Sequence, residues 1–382
     1  MKIAIFDYLV TKNNAIGSCH LRILDALSLE HEFTVFAVEF ENPRPERIRW
    51  IRIPAARRPM ALLFLTFHML APVYYFFYRL KHGVRFDLVQ TIESQSLLGQ
   101  LCYSHFCHRA YIKHQWKRSP SIGLKSAAMW IARWLNALLE ERVLRSAGQI
   151  IVPSRGLARE LLAEYPQCEN KIRILPNAVD AGQMQPPEGF DRDLFRRELG
   201  IAPDDFGIVF VSLGHYERKG LPQLLDALKL VDCSKLKLTV VGGTPQLLSP
   251  YRKLVSEMDL DAQVRFVGMQ KDVRPFLWSA DVFALPSAYE VFPLVALEAA
   301  AAGLPLLVTR LNGVEEFLVD GANGFQVEKT GPDLALGIIK SMALSPDEHK
   351  RMGELARRSV QRFSAEAFVD RWRLIYSSNG SR

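Results

Sequence analysis

The chain has 382 residues, 49% of them hydrophobic and 23% charged, which is apolar material for two globular cores and excludes a disordered or fibrous protein. Its five cysteines (Cys19, Cys102, Cys107, Cys168 and Cys233) are odd in number and scattered, so they imply no disulfide framework and fit a reduced, cytoplasmic setting. The net charge of +7 is uneven: residues 44–133 hold fifteen Lys or Arg against Glu46, Asp87 and Glu93, which is +12 and leaves −5 elsewhere. A basic N-terminal half implies an anionic partner. Without a helix-turn-helix, zinc-finger or RNA-recognition signature, an anionic membrane surface or acidic glycolipid is expected rather than nucleic acid. A solvated basic face is the plainer alternative.

Taken in chain order, MKIAIFDYLV has one positive charge, a short apolar run and no small-residue cleavage site, so it reads as a buried first strand and not a signal peptide. Strands are expected over 2–6, 33–37, 88–91, 111–113 and 149–152, with 101–105 open between strand and helix. A long helix is expected over 125–146. Ser154 has the chemistry to cap a helix over 155–164. Residues 60–78, MALLFLTFHMLAPVYYFFY, carry no charge. They are bracketed by Arg57, Arg58, Arg79 and Lys81, with Lys113, Lys117, Arg118 and Lys125 further on. Basic flanks and aromatics suit a helix lying in a membrane interface; a core helix and a membrane span are the alternatives.

The segment Ile174-Leu-Pro-Asn-Ala-Val-Asp180 runs into AGQMQPPEGF, a linker composition, and places a domain boundary near Asn177. Strand and helix then alternate again, with strands over 208–212, 238–241, 264–267, 282–285 and 306–309. These strands lack polar alternation, as in a parallel sheet buried on both faces. The expected layout is a 1–176 domain, a 177–362 domain and a C-terminal helix, 363–382, packing back on the first domain.

Two segments carry chemistry. In residues 286–305, PSAYEVFPLVALEAAAAGLP, a helix opens at Pro293, a residue suited to the first helical position. Phe292 before it offers no capping oxygen, so the N–H groups of the helix start and its dipole are left for an anion. Glu290 precedes that start, and Glu298 shares the face of Leu294 one turn later. Gly214-His-Tyr-Glu-Arg-Lys-Gly220 follows a strand and sets adjacent cations, Arg218 and Lys219, in a glycine-bounded loop, a phosphate-binding layout. Gly242-Gly243 alone is only a turn signal.

These segments resemble the family 4 retaining glycosyltransferases of the GT-B fold. The resemblance rests on Glu290-Val-Phe-Pro-Leu-Val-Ala-Leu-Glu298, Gly303-Leu-Pro305, Asn312-Gly-Val-Glu-Glu316, Asp320-Gly-Ala-Asn-Gly324 and the Pro-Asn-Ala-Val-Asp segment. It implies an α/β protein of two Rossmann-like domains facing each other across a cleft, the first binding acceptor and the second a UDP- or GDP-sugar. The implied reaction transfers the sugar, with retention, to a glycan or lipid-linked acceptor in cell-envelope polysaccharide or lipopolysaccharide synthesis. Glu298 would hold the ribose. Phe292, Pro293 and Leu294, with Val295, would bring main-chain N–H groups to the phosphates. Glu290 would contact the transferred sugar, Arg218 and Lys219 the diphosphate, and Gly268 and Met269 would pass beside the base. Gly214 bounds the phosphate loop, where the family's following arginine is His215. Gly17-Ser18 stands for the family's glycine-rich acceptor-side loop, here reduced. His105 resembles the histidine that meets the donor sugar, with His108 and His114 as neighbours.

Cys102, His105, Cys107 and His108 fit no standard zinc spacing, and Asp191-Arg-Asp193 and Asp259-Leu-Asp261 read as solvated, so no cofactor and no essential metal is expected. The first strand is followed by no Gly-x-Gly-x-x-Gly, which argues against a nicotinamide-dependent dehydrogenase. A non-catalytic sugar-nucleotide-binding protein is the remaining alternative. A peripheral place on the inner face of the cytoplasmic membrane is expected.

Overall fold

The computed structural model describes residues 1–12, 14–116 and 124–380. Two compact units result, Met1–Ala178 with Ala365–Arg382, and Val179–Ser364.

The first unit is built on a seven-stranded sheet of β1 (Lys2–Phe6), β2 (Glu32–Ala37), β3 (Arg49–Arg52), β4 (Leu88–Ile92), β5 (Leu101–Tyr103), β6 (Gln149–Val152) and β7 (Ile172–Ile174). The order is β3-β2-β1-β4-β5-β6-β7 with every pair parallel. The central strands are apolar throughout because both faces are covered. In β1, Ile3 and Ile5 enter one core while Ala4 and Phe6 enter the other. The first core is closed by α1 (Ala15–Leu27) and the C-terminal helix Ala365–Gly380, which inserts Phe368, Trp372 and Tyr376. The second is closed by α2 (Met60–His82), which inserts Leu63, Phe67, Ala71, Tyr75 and Tyr78. Phe6 stacks on Phe36 there at 4.9 Å. Helix α3 (Leu124–Ser146) packs against α2.

A buried polar chain ties the C-terminal helix to the sheet. His20 Nδ1 lies 2.8 Å from Asp7 Oδ2, His20 Nε2 lies 2.9 Å from Gln90 Nε2, and Tyr376 Oη donates to Gln90 Oε1 at 2.8 Å. All four side chains are buried, where an unmade hydrogen bond is costly, so the chain holds this helix in register.

Several sequence readings change. Residues 111–113 are not a strand: Tyr111–Gln115 is a π-helical turn continuing the short helix His108–Ala110. The buried Glu140 carboxylate accepts the His108 and Arg109 N–H groups at 2.8 and 3.1 Å and so starts a helix there. Gly17-Ser18 lies in the first turn of α1 and not in a loop, because Asn14 caps the helix by accepting the Gly17 N–H at 2.8 Å. A Cβ on Gly17 would sit 2.7 Å from the Thr11 nitrogen, so this glycine serves close packing. The apolar run 60–78 belongs to a 23-residue helix whose inner face is core and whose outer face is bare. Leu62, Leu65, Met69, Val73, Phe76 and Leu80, spaced three and four apart, are all exposed. Lys117 and Arg118 lie outside the described residues.

The second unit carries β8 (Phe206–Val211), β9 (Leu236–Val241), β10 (Val264–Gly268), β11 (Val282–Leu285), β12 (Leu306–Thr309) and β13 (Gly324–Val327). Their order, β10-β9-β8-β11-β12-β13, repeats the succession of the first unit, again all parallel. This is the doubly wound order, with helices crossing over both faces. Asp191 caps the helix Arg192–Glu198 through the Leu194 N–H at 2.8 Å. From that helix the buried Arg196 reaches Asp281 Oδ2 at 3.0 Å and the Ser279 and Asp205 carbonyls at 2.9 and 2.6 Å.

Trp372 is fully buried, with its ring 4.8 Å from that of Tyr103. Trp372→Ala is expected to destabilise the protein by about 3–5 kcal/mol in denaturant unfolding, the ordinary cost of removing a large core aromatic. A loss below about 1 kcal/mol would mean that the C-terminal helix is not part of the core.

Candidate active site

In a doubly wound sheet the loops that leave the carboxyl ends of the strands converge on one edge, and ligands bind there. In the second unit those loops are Ser212–Lys219 after β8, Gly242-Gly243 after β9, Met269 after β10, and the segment 286–293 after β11. They interlock closely. The Gly242 N–H donates to the Gly268 carbonyl at 2.7 Å, and the Ala288 N–H donates to the Arg218 carbonyl at 2.7 Å. Gly220 has φ 85° and a Cβ there would sit 2.1 Å from the Pro286 carbonyl oxygen, so only glycine lets these loops meet.

The Gly214–Gly220 segment is not an open loop. Tyr216–Lys219 is a helical turn, entered through His215 in the left-handed region at φ 57°. The turn sets Arg218 and Lys219 toward Glu290. Glu290 Oε1 lies 2.5 Å from Lys219 Nζ and 3.1 Å from Arg218 Nη1, and it accepts the Ser287 hydroxyl at 3.0 Å. Arg218 Nη1 also donates to the Tyr289 carbonyl. The three charged side chains are only 24%, 16% and 12% exposed for Arg218, Lys219 and Glu290, so this is a partly desolvated cluster with one positive charge in excess.

Next in the chain is α4 (Leu294–Ala301). Pro293 is its N-cap rather than its first residue, and no side chain caps the helix. The helix's own ladder starts with the Ala296 and Leu297 N–H groups, which donate to the Pro293 carbonyl at 3.0 and 3.3 Å. The amides ahead of that ladder are those of Leu294 and Val295. Pro293 has no N–H and cannot serve a phosphate as the sequence reading had it. The Phe292 side chain is core, packed with Phe317 and Phe363 at 6.3 and 6.2 Å, so only its main chain stays available to the site. Glu298, part-exposed, lies one turn into α4. Gly268 is left-handed at φ 70°, and Met269 beyond it is exposed. Gly214, Arg218, Lys219, Gly268, Met269, Glu290, Leu294, Val295 and Glu298 thus belong to one edge of one sheet.

Two features of this edge escaped the sequence reading. Lys329 Nζ donates to the Glu217 carbonyl at 2.8 Å, and burial, with Arg218 nearby, holds its ammonium below the ordinary lysine range. It is a third cation beside the Arg-Lys pair, delivered from the end of β13. Only tertiary structure brings it there, 110 residues after Lys219. The second is the depth of the charge cluster, since a Glu-Arg-Lys triad cannot be read from segments 70 residues apart.

In the first unit, the strands β1, β4 and β5 are neighbours, and their carboxyl ends carry Tyr8, Glu93 and His105. His105 Nε2 lies 3.2 Å from Asn177 Oδ1, and Tyr103 Oη donates to the same oxygen at 3.1 Å. Burial lowers the His105 pKa to about 4, so the ring is neutral at ordinary pH. Its Nδ1 is buried and has no partner among the described residues. His108 is a different group: its Nε2 pairs with Glu93 Oε2 at 3.1 Å. His114 is at the surface beside Glu164. Glu93 adopts φ 46°, rare for a residue with a Cβ, as is often seen where function fixes the backbone. The signal available in sequence was its place after the strand 88–91. No group of three or more His, Cys, Asp or Glu side chains is arranged to hold a metal ion among the described residues.

Comparison with known proteins agrees with this geometry. Residues 21–183 match the family described as Glycosyltransferase Family 4, and residues 191–359 match Glycosyl transferases group 1. A relative, the MMP alpha-(1->4)-mannosyltransferase of Mycolicibacterium hassiacum, is 24% identical over 367 residues, which is 93% of this chain and 79% of that protein. Among solved structures, WaaG, a glycosyltransferase involved in lipopolysaccharide biosynthesis, superposes with TM-score 0.78 at 17% identity, covering 98% of this chain and 99% of that one. HepE of Anabaena, solved in complex with UDP, gives TM-score 0.76 at 18% identity, covering 99% of this chain and 100% of the other. The chain belongs to the GT-B glycosyltransferases, its first unit of family 4 type and its second of group 1 type.

Proposed function

We propose that this glycosyltransferase moves a sugar, with retention of anomeric configuration, from a UDP- or GDP-sugar to a glycan or lipid-linked acceptor of the cell envelope. The observation that carries this reading is the Glu290 carboxylate held between Arg218 and Lys219 beside the uncapped start of α4. Two adjacent cations, a third from Lys329 and the helix amides together suit a diphosphate, whose charge grows as the glycosidic bond breaks. When the diphosphate takes those cations, Glu290 is released to accept a hydroxyl of the transferred sugar. Glu298 accepts the ribose hydroxyls, and Gly268 and Met269 flank the base. The acceptor oxygen attacks from the face that the phosphate leaves, and its proton passes to a departing phosphate oxygen. No essential metal is required, because side chains and amides already meet the diphosphate charge. UDP in the HepE complex supports a uridine donor, and GDP remains the competing base.

We also propose that the enzyme works at the inner face of the cytoplasmic membrane, close to lipid-linked acceptors. The bare stripe of α2 supports this, joined by exposed Met129, Trp130, Ile131, Trp134 and Leu138 on α3. Trp130 and Trp134 stack in parallel at 6.3 Å, as aromatic residues of an interface belt would be displayed. Helix α2 is long and apolar enough to cross a bilayer, but its inner face is committed to the core, so it lies along the interface.

A thermal-shift series with UDP-, GDP- and ADP-sugars tests the donor assignment: one nucleotide class should raise the melting temperature, because a ligand specific to the folded state stabilises it. Glu298→Ala should weaken that donor by about 1.5–3 kcal/mol, the value of a charged hydrogen bond. Arg218→Ala and Lys219→Ala should each cut turnover at saturating donor by about 100-fold or more while leaving the fold intact. Full rates in both cation variants would place the diphosphate elsewhere.

Sedimentation with vesicles tests the membrane reading. Binding should require anionic lipid and weaken as salt rises, since each Lys or Arg near such a surface contributes about 1 kcal/mol. Neutralising Arg57, Arg58, Arg79 and Lys81 should release the protein. Protein left in the supernatant with anionic vesicles at low salt would make α2 an ordinary core helix.

A further inference from the structure

The opposite edge of the first sheet, at the amino ends of the strands, holds a cavity of about 330 Å³. Phe33, Thr34, Tyr78, Val84 and Phe86 are among its lining residues, together with Lys2, Glu32, Arg47, Arg49 and His82. Lys2, Glu32 and Arg49 are the first residues of β1, β2 and β3, so the sheet itself sets the spacing of this charged rim. Arg49 lies over the Tyr78 ring at 5.9 Å, and His82 stacks on Tyr78 at 4.6 Å. The side chains of Lys2, Arg47 and Arg49 make no ion pair with a carboxylate among the described residues. Three cations therefore face a concave site against one acid, Glu32.

This is not a substrate site of the reaction, because open parallel sheets bind substrates at the carboxyl ends of their strands. Its place relative to α2 identifies the ligand. Tyr78 and His82 belong to the last turns of α2, whose outer stripe ends at Leu80, 83% exposed. Groups on the inner side of the helix stand roughly 10 Å above that stripe, one helix diameter. An interfacial helix sinks its apolar face roughly 5–10 Å into the boundary between head groups and acyl chains, which brings the cavity to head-group level. We propose that the cavity binds the phosphate diester head group of an anionic phospholipid, Lys2, Arg47 and Arg49 taking the phosphate and Glu32 a head-group hydroxyl. The inference rests on the membrane reading above. It turns a general attraction between basic residues and an anionic surface into one built site that fixes how α2 lies on the bilayer.

The probe is dihexanoylphosphatidylglycerol below its micelle concentration, titrated into the full-length chain and followed by calorimetry. Binding is expected to weaken by about tenfold in the Arg47→Gln/Arg49→Gln double variant, the loss of charged hydrogen bonds to one phosphate. Lys350→Gln/Arg351→Gln, with the same change in charge on the second unit, should alter it by less than about twofold. All of these side chains are exposed, so the melting temperature should hold. Absence of binding, or equal weakening in both double variants, would overturn the site. Equal affinity for sn-glycerol 3-phosphate would replace the lipid by a soluble phosphate and overturn the lipid assignment. Vesicle sedimentation of the same variants separates the two proposals: a wrong cavity leaves anionic vesicle binding in place, and a wrong membrane reading abolishes it even where the short-chain lipid binds.

Discussion

Two cations placed side by side and largely out of water need a counter-charge, and in this chain Glu290 supplies it. Arg218 and Lys219 come from a helical turn after β8 and Glu290 from the segment after β11, so the cluster exists only while adjacent strands hold their register. Ser287 and the Tyr289 carbonyl brace the same groups. The interlocked glycines at 220 and 242 let the loops come close enough for it. A site arranged this way is partly neutralised at rest, and in the proposed reading it takes up a diphosphate by exchanging one anion for another. In that reading a hydroxyl of the transferred sugar takes the place of the cations at Glu290, so its carboxylate keeps a hydrogen-bond donor.

The basic first unit carries different groups at the two ends of one sheet. Tyr8, Glu93 and the neutral His105 stand at the carboxyl ends, while Lys2, Arg49 and the cavity stand at the amino ends. One face of that sheet is covered by α2, whose inner residues are core and whose outer residues are bare. A single helix can thus close a core and offer a surface, which explains why its apolar run has almost no polar side.

Much of the fold was legible because parallel strands buried on both faces read as plain apolar runs, and 2–6, 149–152, 282–285 and 306–309 coincide with strands as found. The helix 155–164 was legible through its Ser154 cap. Edge strands were not: Arg49–Arg52 and Ile172–Ile174 are largely exposed and carry charge, so they leave no apolar signature. Residues 111–113 misled because the two apolar positions Tyr111 and Ile112 said less than the distant Glu140 carboxylate that winds the segment into a helix. In the site, the local pieces could be read, including Glu290, Glu298 and the Arg218-Lys219 pair. Their mutual contacts, the contribution of Lys329, and the core role of the Phe292 ring depend on packing between segments far apart in sequence. Gly17 was read as a loop residue because the family resemblance set it in an acceptor-side loop, whereas Asn14 had already started a helix.

If Glu290 and the donor diphosphate share Arg218 and Lys219, removing the Glu290 charge should separate binding from transfer. Calorimetry of UDP and GDP with the Glu290→Gln variant measures this directly. The cations would be freed, so the nucleoside diphosphate should bind as tightly as to the parent enzyme or more so, while sugar transfer is lost. A nucleoside diphosphate that binds more weakly to Glu290→Gln in a folded protein would contradict the exchange, and with it the assignment of the cluster as the diphosphate site.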